Sequence, residues 1–387
     1  MRPLRIVQAA AFPYPTAQGS QVYVRGMSRA LARRGHRITV ACYGHGDGGR
    51  DPGVTVVRTP QLPGYHNLRA GPDLIKPVLD LALAATIARL PADIVHAHNY
   101  EAPLSAVLAG LRRPVPMVYT AHNTMGEELH TYFQRPTARL LARRLGGLLD
   151  RCVPRLADHA IAINPATAPF LHRMGCPAVS VIPPGVDPDE LPLTAPARLP
   201  PGPWVVYAGN PDAYQDLDIL FDAMRRIPEV GLLLVSASPQ RAFAGLGMQR
   251  VHFVQTADFA VVRTWLAAAS LAVLPRTVCS GFPIKLLNYL GMGLPTVASA
   301  GAVGLMPGVV PVPDHDPAAM ARAIEALLRH PGRRHALGAE AREHVLTRCT
   351  WDGRAAELEA VYSSVLSRER VSGILRPRKT AADAGQR

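Results

Sequence analysis

The chain has 387 residues, 48% of them hydrophobic and 18% charged, with a formal charge of +13 at pH 7. This composition is typical of a globular protein with room for two domains, and no apolar run is long enough to span a bilayer. The five cysteines are scattered and form no Cys-x-x-Cys pair, which argues against a disulfide framework or a zinc ribbon and for reduced thiols in the cytoplasm. The positive charge favours anionic partners: phosphorylated substrates, an acidic membrane or nucleic acid.

The first half of the chain alternates segments of strand and helix character. A helical pattern that begins at Gly19 ends in Arg-Gly-His, and further helices are predicted between the strands. Apolar runs predict the strands 4–10, 38–42, 92–98, 116–122 and 157–164. Regular alternation of this kind predicts a parallel sheet covered by helices on both faces.

Gly19, His98 and His122 fall at the carboxyl edge of this predicted sheet, where parallel sheets bind ligands. A lone histidine is more often structural than functional. The sequence therefore leaves two interpretations of His122 open, a satisfied core residue or a group that contacts substrate.

A basic helix is predicted at 135–155. On a helical wheel one face carries Leu140, Leu141, Leu145, Leu148 and Leu149, while arginines lie opposite this face and on its flanks. The ordinary interpretation is a surface helix that docks its leucines on the sheet. The alternative is a basic amphipathic face that contacts acidic lipid.

A proline-rich run at 191–203 predicts a linker, and a second α/β half begins at Trp204. Within this half, residues 271–299 have the pattern of strand, loop, helix and strand, with Pro283 as the first helical residue. The loop ends in Gly-Phe at the helix N-terminus and so offers N–H groups to an anion such as phosphate, although most such helix ends bind nothing. Two doubly wound halves predict a deep cleft between them.

Several stretches follow one another in a distinctive order. They are QGSQVYVRGMSRALARRGH from 18, DIVHAHNYEAPLSA from 93, YTAHNT from 119, ADHAIAIN from 157, VIPPGVD from 181, YAGNPDAYQDLDIL from 207 and the stretch 271–299. Together they resemble the motifs of the retaining GT-B glycosyltransferases of family 4, the "group 1" transferases. The resemblance covers nearly the whole chain and implies an α/β GT-B fold of two doubly wound, Rossmann-like domains.

The resemblance also implies a division of the chain. Residues 1–195 correspond to an acceptor-binding domain and residues 196–355 to a nucleotide-sugar-binding domain. Residues 356–371 correspond to a C-terminal helix that packs back towards the first domain. Residues 372–387 are rich in Arg and Lys, with Pro and Gly, and are expected to form a disordered basic tail.

Enzymes of this family use a nucleotide-diphosphate sugar as co-substrate, generally without a bound metal or other cofactor, and glycosylate polysaccharide or glycolipid acceptors. Carried over by position, the resemblance implies that Gly19 and Ser20 approach the donor diphosphate and sugar. It implies that His122 lies near the transferred sugar, and that Gly281 and Phe282 offer N–H groups to the phosphates.

The chain departs from the family at four positions where the family has charged side chains. The carboxylates of the family's Glu-x7-Glu motif are matched by Ser280 and Asn288. The Arg and Lys that follow the family's glycine turn, here Gly209, are matched by Asn210 and Gln215. All four replacements keep hydrogen-bonding capacity, which favours a variant donor site over an inactive one.

Lys285, in the first turn of the predicted helix, is the candidate that restores a cation near the phosphates, and Arg276 is a weaker substitute. The alternative for Lys285 is a solvated lysine on a helix face. A missing contact to the leaving group costs about 2–4 kcal/mol. Lys285 and His122 are therefore the catalytic candidates.

The predicted function is a metal-independent hexosyl- or related glycosyltransferase, cytoplasmic or peripheral on the inner face of the cell membrane through helix 135–155. The alternatives are a catalytically impaired nucleotide-sugar-binding subunit of the same fold and a nucleotide-sugar epimerase. Asp-x-Asp triplets beginning at Asp187, Asp216 and Asp314 imitate metal motifs, but short patterns of this kind arise easily by chance. Neither a nucleic-acid-binding module nor clustered aromatic residues are evident, so nucleic acid is not an expected partner.

Overall fold

The computed structural model describes residues 2–15, 19–44, 51–62, 73, 75–111, 113–192, 196–243, 247–277, 281–302, 304 and 306–372. The expectations for Ser280 and for the tail after residue 372 lie outside these ranges. Contacts divide the chain into two compact units. Unit 1 comprises residues 1–183 and 354–387, and unit 2 comprises residues 184–353. The boundaries expected from the sequence, 195 and 355, lie downstream of these contact boundaries.

Unit 1 is built on a parallel sheet with helices on both faces. Its strands are β1 (Arg5–Ala10), β2 (Arg37–Cys42), β3 (Val54–Arg58), β4 (Ile94–His98), β5 (Met117–Ala121), β6 (His159–Ala162) and β7 (Val179–Val181). Its helices before the linker are α1 (Gly19–Arg33), α2 (Lys76–Arg89), α3 (Glu101–Gly110), α4 (Met125–Glu128), α5 (Pro136–Cys152) and α6 (Ala168–Arg173). The strand order is β3-β2-β1-β4-β5-β6-β7, so the order reverses beside β1. Ligands of open parallel sheets bind at such a switch point.

The two faces of this sheet differ in polarity. One face packs apolar side chains of β1, β4 and β5 against α2 and α3, as Leu79, Leu83 and Ala106 illustrate. The other face carries polar side chains on the central strands, among them His96 and His98, which are fully buried. A buried polar group needs hydrogen-bonding partners, so this second face predicts an organised network.

Unit 2 repeats the design on a smaller scale. Its strands are β8 (Trp204–Ala208), β9 (Gly231–Ser236), β10 (Val251–Gln255), β11 (Leu271–Leu274), β12 (Thr296–Ser299) and β13 (Val309–Val312). Its helices are α7 (Leu217–Arg225), α8 (Phe259–Ala268), α9 (Ile284–Gly291), α10 (Pro317–Arg329) and α11 (Pro331–Arg348). The parallel strands follow the order β10-β9-β8-β11-β12-β13, which puts the switch point between β8 and β11. The doubly wound α/β class expected from the sequence is confirmed in both units.

The last helix, α12 (Trp351–Ser372), belongs to unit 1 from Arg354 onwards. Its Glu359 accepts a bidentate pair of hydrogen bonds from Arg34 at 2.8 and 2.9 Å and lies 2.9 Å from Nε2 of His36. Its Tyr362 hydroxyl lies 2.7 Å from Nδ1 of His96. The helix therefore closes over the polar face of the unit 1 sheet.

The expectation that α5 docks its leucines on the sheet is wrong. Leu140, Leu141, Leu145 and Leu148 are 49–69% exposed. The helix packs instead against α4, and it does so through its own small and polar residues. Gly146 lies against the backbone of Met125, and Asp150 accepts hydrogen bonds from the N–H groups of Met125 and Gly126 at 2.8 Å. Because that contact fixes the inward face, the leucine stripe points to solvent.

Candidate active site

The turn after β8 is the first feature at the unit 2 switch point. Gly209 adopts φ +151°, and its N–H donates to the Val235 carbonyl at 2.8 Å. A Cβ added at Gly209 would collide with Nζ of Lys285 and come within 3.2 Å of the Tyr207 hydroxyl. Glycine is therefore required here both for its backbone conformation and for the close approach of the lysine.

Lys285, in the first turn of α9, is held over this turn. Its Nζ donates to the Tyr207 hydroxyl at 2.9 Å and to Oε1 of Gln215 at 3.0 Å, and lies 4.3 Å from the centroid of the Tyr207 ring. Burial raises the pKa of Tyr207, so the phenol is neutral. The ammonium group thus lies against neutral oxygens and an aromatic face, which hold it in position. Sequence reasoning did not identify Tyr207 as its support.

The loop after β11 brings a second cation to the same edge. The guanidinium of Arg276 lies 4.7 Å from the centroid of the Tyr214 ring, and the Tyr214 hydroxyl donates to Asp212 at 3.0 Å. Asp216, in a left-handed conformation at φ 52°, accepts from the N–H and the hydroxyl of Thr277 at 2.8 and 2.7 Å. These bonds tie the segment before α7 to the loop that carries Arg276.

The remaining predicted donor residues lie around this edge. Oδ1 of Asn210 accepts from the hydroxyls of Ser236 and Ser238 at 3.1 and 3.2 Å. Gly281 is buried and Phe282 is half-buried in front of α9, and Asn288 is half-buried one turn beyond Lys285.

Pro283 is the N-cap of α9, and the helix begins at Ile284, one residue later than expected from the sequence, because ψ of Pro283 is 87° and not helical. The side chain of this N-cap residue, a proline, makes no capping hydrogen bond. The hydroxyl of Tyr289 fastens the helix to the end of β8, since it accepts from the Ala208 N–H at 2.7 Å and donates to the Ala208 carbonyl at 3.0 Å. Sequence reasoning missed this tyrosine because its partner is distant in the chain.

The unit 1 switch point carries a network of buried polar side chains. Nε2 of His98 lies 2.7 Å from Oε1 of Gln8, and Nδ1 of His98 lies 3.1 Å from Nε2 of His122. Beside this chain, Nε2 of His96 lies 2.7 Å from the Thr120 hydroxyl. His122 is 3% exposed and the other four are fully buried.

These imidazoles are neutral at physiological pH. Burial lowers the pKa of His96 and of His122 to about 3, and it lowers the pKa of His98 well below its ordinary value. Neighbouring imidazoles act in the same direction on His96 and His98. The group can therefore donate and accept hydrogen bonds but does not supply a cation.

Helix α1 brings the predicted loop residues to the same switch point. Gly19 is exposed and Ser20 half-buried at the start of the helix, and open space surrounds the position of a Cβ added at Gly19. One turn further, the Tyr23 ring meets the His122 ring edge-on with centroids 5.2 Å apart. Unit 1 thus gathers Gly19, Ser20 and His122, and unit 2 gathers Gly209, Asn210, Gln215, Gly281, Phe282, Lys285 and Asn288.

Two structural findings bear on other classes of site. The part of the chain that the structure describes holds no group of three or more His, Cys, Asp or Glu side chains that could hold a metal ion. Within the same ranges no helix combines the length and the apolarity that a bilayer crossing requires.

Two Rossmann-like α/β units, each with polar groups gathered at its switch point, are the architecture expected of a GT-B protein. Residues 17–190 match the model for Glycosyltransferase Family 4, and residues 202–330 match the model for Glycosyl transferases group 1. The chain therefore belongs to the GT-B glycosyltransferases of this family, as its motifs predicted. It is a glycosyltransferase that uses a nucleotide sugar as donor.

Relatives of known name span nearly the whole chain. A D-inositol 3-phosphate glycosyltransferase of Xylanimonas cellulosilytica is 28% identical over 91% of this chain and 93% of that protein. A phosphatidyl-myo-inositol mannosyltransferase of Mycobacterium tuberculosis is 25% identical over 94% and 97%. Among solved structures, a sucrose-phosphate synthase of Thermosynechococcus elongatus superposes with a TM-score of 0.79 at 22% identity, covering 95% of this chain and all of that one. The Anabaena protein HepE, in complex with UDP and glucose, gives 0.70 at 18% identity over 93% of this chain and 100% of that one.

Proposed function

We propose that this enzyme transfers a hexose or related sugar, with retention, from a nucleotide-diphosphate sugar to a saccharide or lipid-linked acceptor, and that Lys285 stabilises the leaving diphosphate. The observation that carries the proposal is the position of Lys285. Its Nζ lies beside Gly209 and 3.0 Å from Gln215, the position at which the family pattern has a lysine. The cation missing from the chain after β8 is thus supplied from α9.

The chemistry explains why a cation is needed at this edge. The bond between the anomeric carbon and the phosphate oxygen breaks, and a new bond from the acceptor oxygen forms on the same face of the sugar. The departing diphosphate gains negative charge and takes the acceptor proton. A fixed ammonium group and the N-terminus of α9 stabilise that charge more in the transition state than in the bound donor.

The other site residues have neutral roles in this proposal. Gly281 and Phe282 contribute backbone N–H groups to the phosphates, and Asn288 binds the ribose hydroxyls without the charge of the family's glutamate. Arg276 adds a second positive charge at the edge of the site. Ser280 remains a predicted donor contact.

The same family pattern assigns further donor contacts. Asn210 and Gln215 border the diphosphate, and Gln215 also holds Lys285. Gly19 and Ser20 approach the sugar and diphosphate. His122 hydrogen-bonds to the transferred sugar as a neutral imidazole, because burial keeps its pKa near 3.

The names of the relatives support an acceptor built on inositol or on a lipid. One relative is named for D-inositol 3-phosphate and another for phosphatidyl-myo-inositol. Both acceptors are anionic, which agrees with the charge of +13 on this chain.

A panel of UDP-, GDP- and ADP-sugars tests the donor assignment. Each sugar is assayed for a shift of the melting temperature and for release of nucleotide diphosphate with inositol phosphate, phosphatidylinositol and simple sugars as acceptors. We expect one donor to shift the melting temperature and to yield product. If none of the donors binds, the assignment of unit 2 as the donor unit is wrong.

A binding subunit without turnover is the second candidate, because Ser280 and Asn288 replace two carboxylates of the family motif. It predicts that a nucleotide sugar raises the melting temperature but that no acceptor leads to product. Transfer at any measurable rate with any acceptor excludes it.

We propose in addition that α5 binds an acidic membrane surface on the cytoplasmic side. Its leucines, exposed by 49–69%, form an apolar stripe, and arginines flank that stripe. Burying each half-exposed leucine in the interface contributes about 1 kcal/mol, and each arginine near anionic headgroups contributes about as much. Such a helix lies in the interface and does not cross it.

Flotation with vesicles of neutral lipid, and of neutral lipid containing phosphatidylserine, tests this surface at low and high salt. The double variant Leu141→Gln, Leu145→Gln should lower the partition coefficient for acidic vesicles about 30-fold. Leu81→Gln is the matched control, since Leu81 on α2 is 61% exposed and lies outside the stripe. Equal recovery of the wild type on neutral and acidic vesicles contradicts the proposal.

A further inference from the structure

A chain of two hydrogen bonds ends at His122. It runs from Oε1 of Gln8 on β1 to Nε2 of His98 on β4, at 2.7 Å, and from Nδ1 of His98 to Nε2 of His122 after β5, at 3.1 Å. The three side chains are at most 3% exposed. Because water does not compete for these atoms, the proton positions are set by the chain itself.

Each bond in this chain determines the next. A neutral imidazole has one N–H donor and one bare acceptor nitrogen. When the Gln8 carbonyl accepts from Nε2 of His98, Nδ1 of His98 is bare and must accept. His122 then donates from Nε2, and its own Nδ1 is the bare nitrogen.

The opposite arrangement follows from a reversed Gln8 amide, which would donate to His98 and leave His122 protonated on Nδ1. The structure has the first arrangement, since Oε1 of Gln8, and not its amide nitrogen, lies 2.7 Å from Nε2 of His98. The amide nitrogen of Gln8 is buried and makes no hydrogen bond to any residue that the structure describes.

We propose that Gln8 and His98 are positioning residues that fix His122 in the tautomer protonated on Nε2, so that its Nδ1 is a hydrogen-bond acceptor. Nδ1 of His122 makes no hydrogen bond to any residue that the structure describes. This Nδ1 accepts a hydrogen bond from a hydroxyl of the sugar. That contact with the sugar rests on the proposed function, whereas the assignment of the tautomer does not. Gln8, two hydrogen bonds away, thereby decides whether His122 accepts from the substrate or donates to it.

Nitrogen NMR of the ligand-free enzyme, labelled with ¹⁵N-histidine, tests the tautomer directly. His122 is assigned from the signal lost in His122→Asn. We expect Nε2 of His122 to be protonated and Nδ1 bare in the wild type. In Gln8→Met, which has a similar shape but no acceptor, the tautomer ratio should shift by about five- to tenfold, the effect of one neutral hydrogen bond.

Two further variants separate this role from a structural one. Gln8→Glu keeps an acceptor towards His98 and should keep the wild-type tautomer. Thr120→Val removes the hydrogen bond to His96, outside the chain to His122, and should leave the His122 signals in place. A wild-type His122 protonated on Nδ1, or a Gln8→Met spectrum like that of the wild type, overturns the proposal.

The consequence for the reaction is measured separately with donors whose sugar hydroxyls are replaced one at a time by fluorine, which accepts but does not donate a hydrogen bond. In the wild type one fluorine substitution should lower kcat/KM at least tenfold, and that sensitivity should fall in Gln8→Met. An absence of transfer with every donor would refute the proposed function and leave the NMR result standing. Tolerance of every fluorinated donor by an active wild-type enzyme would refute the role of Nδ1.

Discussion

Replacing Lys285 by methionine tests the central feature of the proposed donor site. The change removes the charge and keeps most of the aliphatic chain. Two unit charges about 4 Å apart interact by about 4 kcal/mol at an effective dielectric constant near 20, and loss of one preformed donor to a developing anion costs about 2.7–4 kcal/mol. We therefore expect kcat/KM for the donor to fall about 10²- to 10³-fold.

The cost in stability is smaller than the cost in activity. The contacts of Lys285 in the ligand-free protein include the Tyr207 hydroxyl, Oε1 of Gln215 and the Tyr207 ring, which are neutral. Such contacts contribute about 1–2 kcal/mol in sum. Lys285→Met should accordingly stay folded, with a modest fall in the free energy of unfolding.

Steady-state kinetics with the donor found in the panel measure the effect, with two comparisons. Lys76→Met is the matched control. Lys76 on α2 pairs with Glu101 on α3 at 3.4 Å, so its replacement should leave donor kinetics unchanged. Gln215→Lys in the Lys285→Met background places a new cation within about one side-chain length of the lost ammonium group. It should raise kcat/KM at least tenfold above that of Lys285→Met. A Lys285→Met enzyme with wild-type kcat/KM would refute the assignment, and so would equal losses in Lys285→Met and Lys76→Met.

Three further outcomes follow from the structure. Gly209→Ala should displace Lys285 and destabilise the protein by about 1–3 kcal/mol, since φ is +151° and the new Cβ meets Nζ. Thermal unfolding and donor binding measure these effects. Unchanged donor binding would show that the close approach of Lys285 to Gly209 is unimportant. Gly147→Ala, on α5 with open space around the new Cβ, should stabilise by about 0.5–1 kcal/mol, and a lower melting temperature would contradict this. The pKa values of His96 and His122, lowered to about 3 by burial, predict acid sensitivity. Below pH 6.5 the unfolded chain takes up protons that the folded chain does not, so the free energy of unfolding should fall by about 1.4 kcal/mol per pH unit for each residue, until the pH nears the folded value. Urea unfolding at pH 7 and pH 5 checks this. His96→Gln should reduce the dependence of the free energy of unfolding on pH by the contribution of one proton, and an unchanged dependence in that variant would refute the assignment.

Much of the fold could be predicted from the chain alone, because its signals are local. The apolar runs and helical patterns predicted the strands that end at His98 and His122 and the alternation typical of parallel sheets. The position of Lys285 one turn into a helix could also be predicted. Its contact with Gln215 could not, because that contact joins segments seventy residues apart.

The sequence by itself determined the class of fold, the family and the residue types that stand at the donor positions. Periodicity, glycine turns and motif spacing are properties of neighbouring residues and survive without tertiary contacts. Only the tertiary structure decided which way amphipathic elements face: the pattern of α5 allowed its leucines to pack inward, and the close contact of Gly146 and Asp150 with α4 turned them outward. In the same way, only the tertiary structure brought Gln8, His98 and His122 into one chain of hydrogen bonds, because a buried polar atom takes its partner from whichever strand lies beside it.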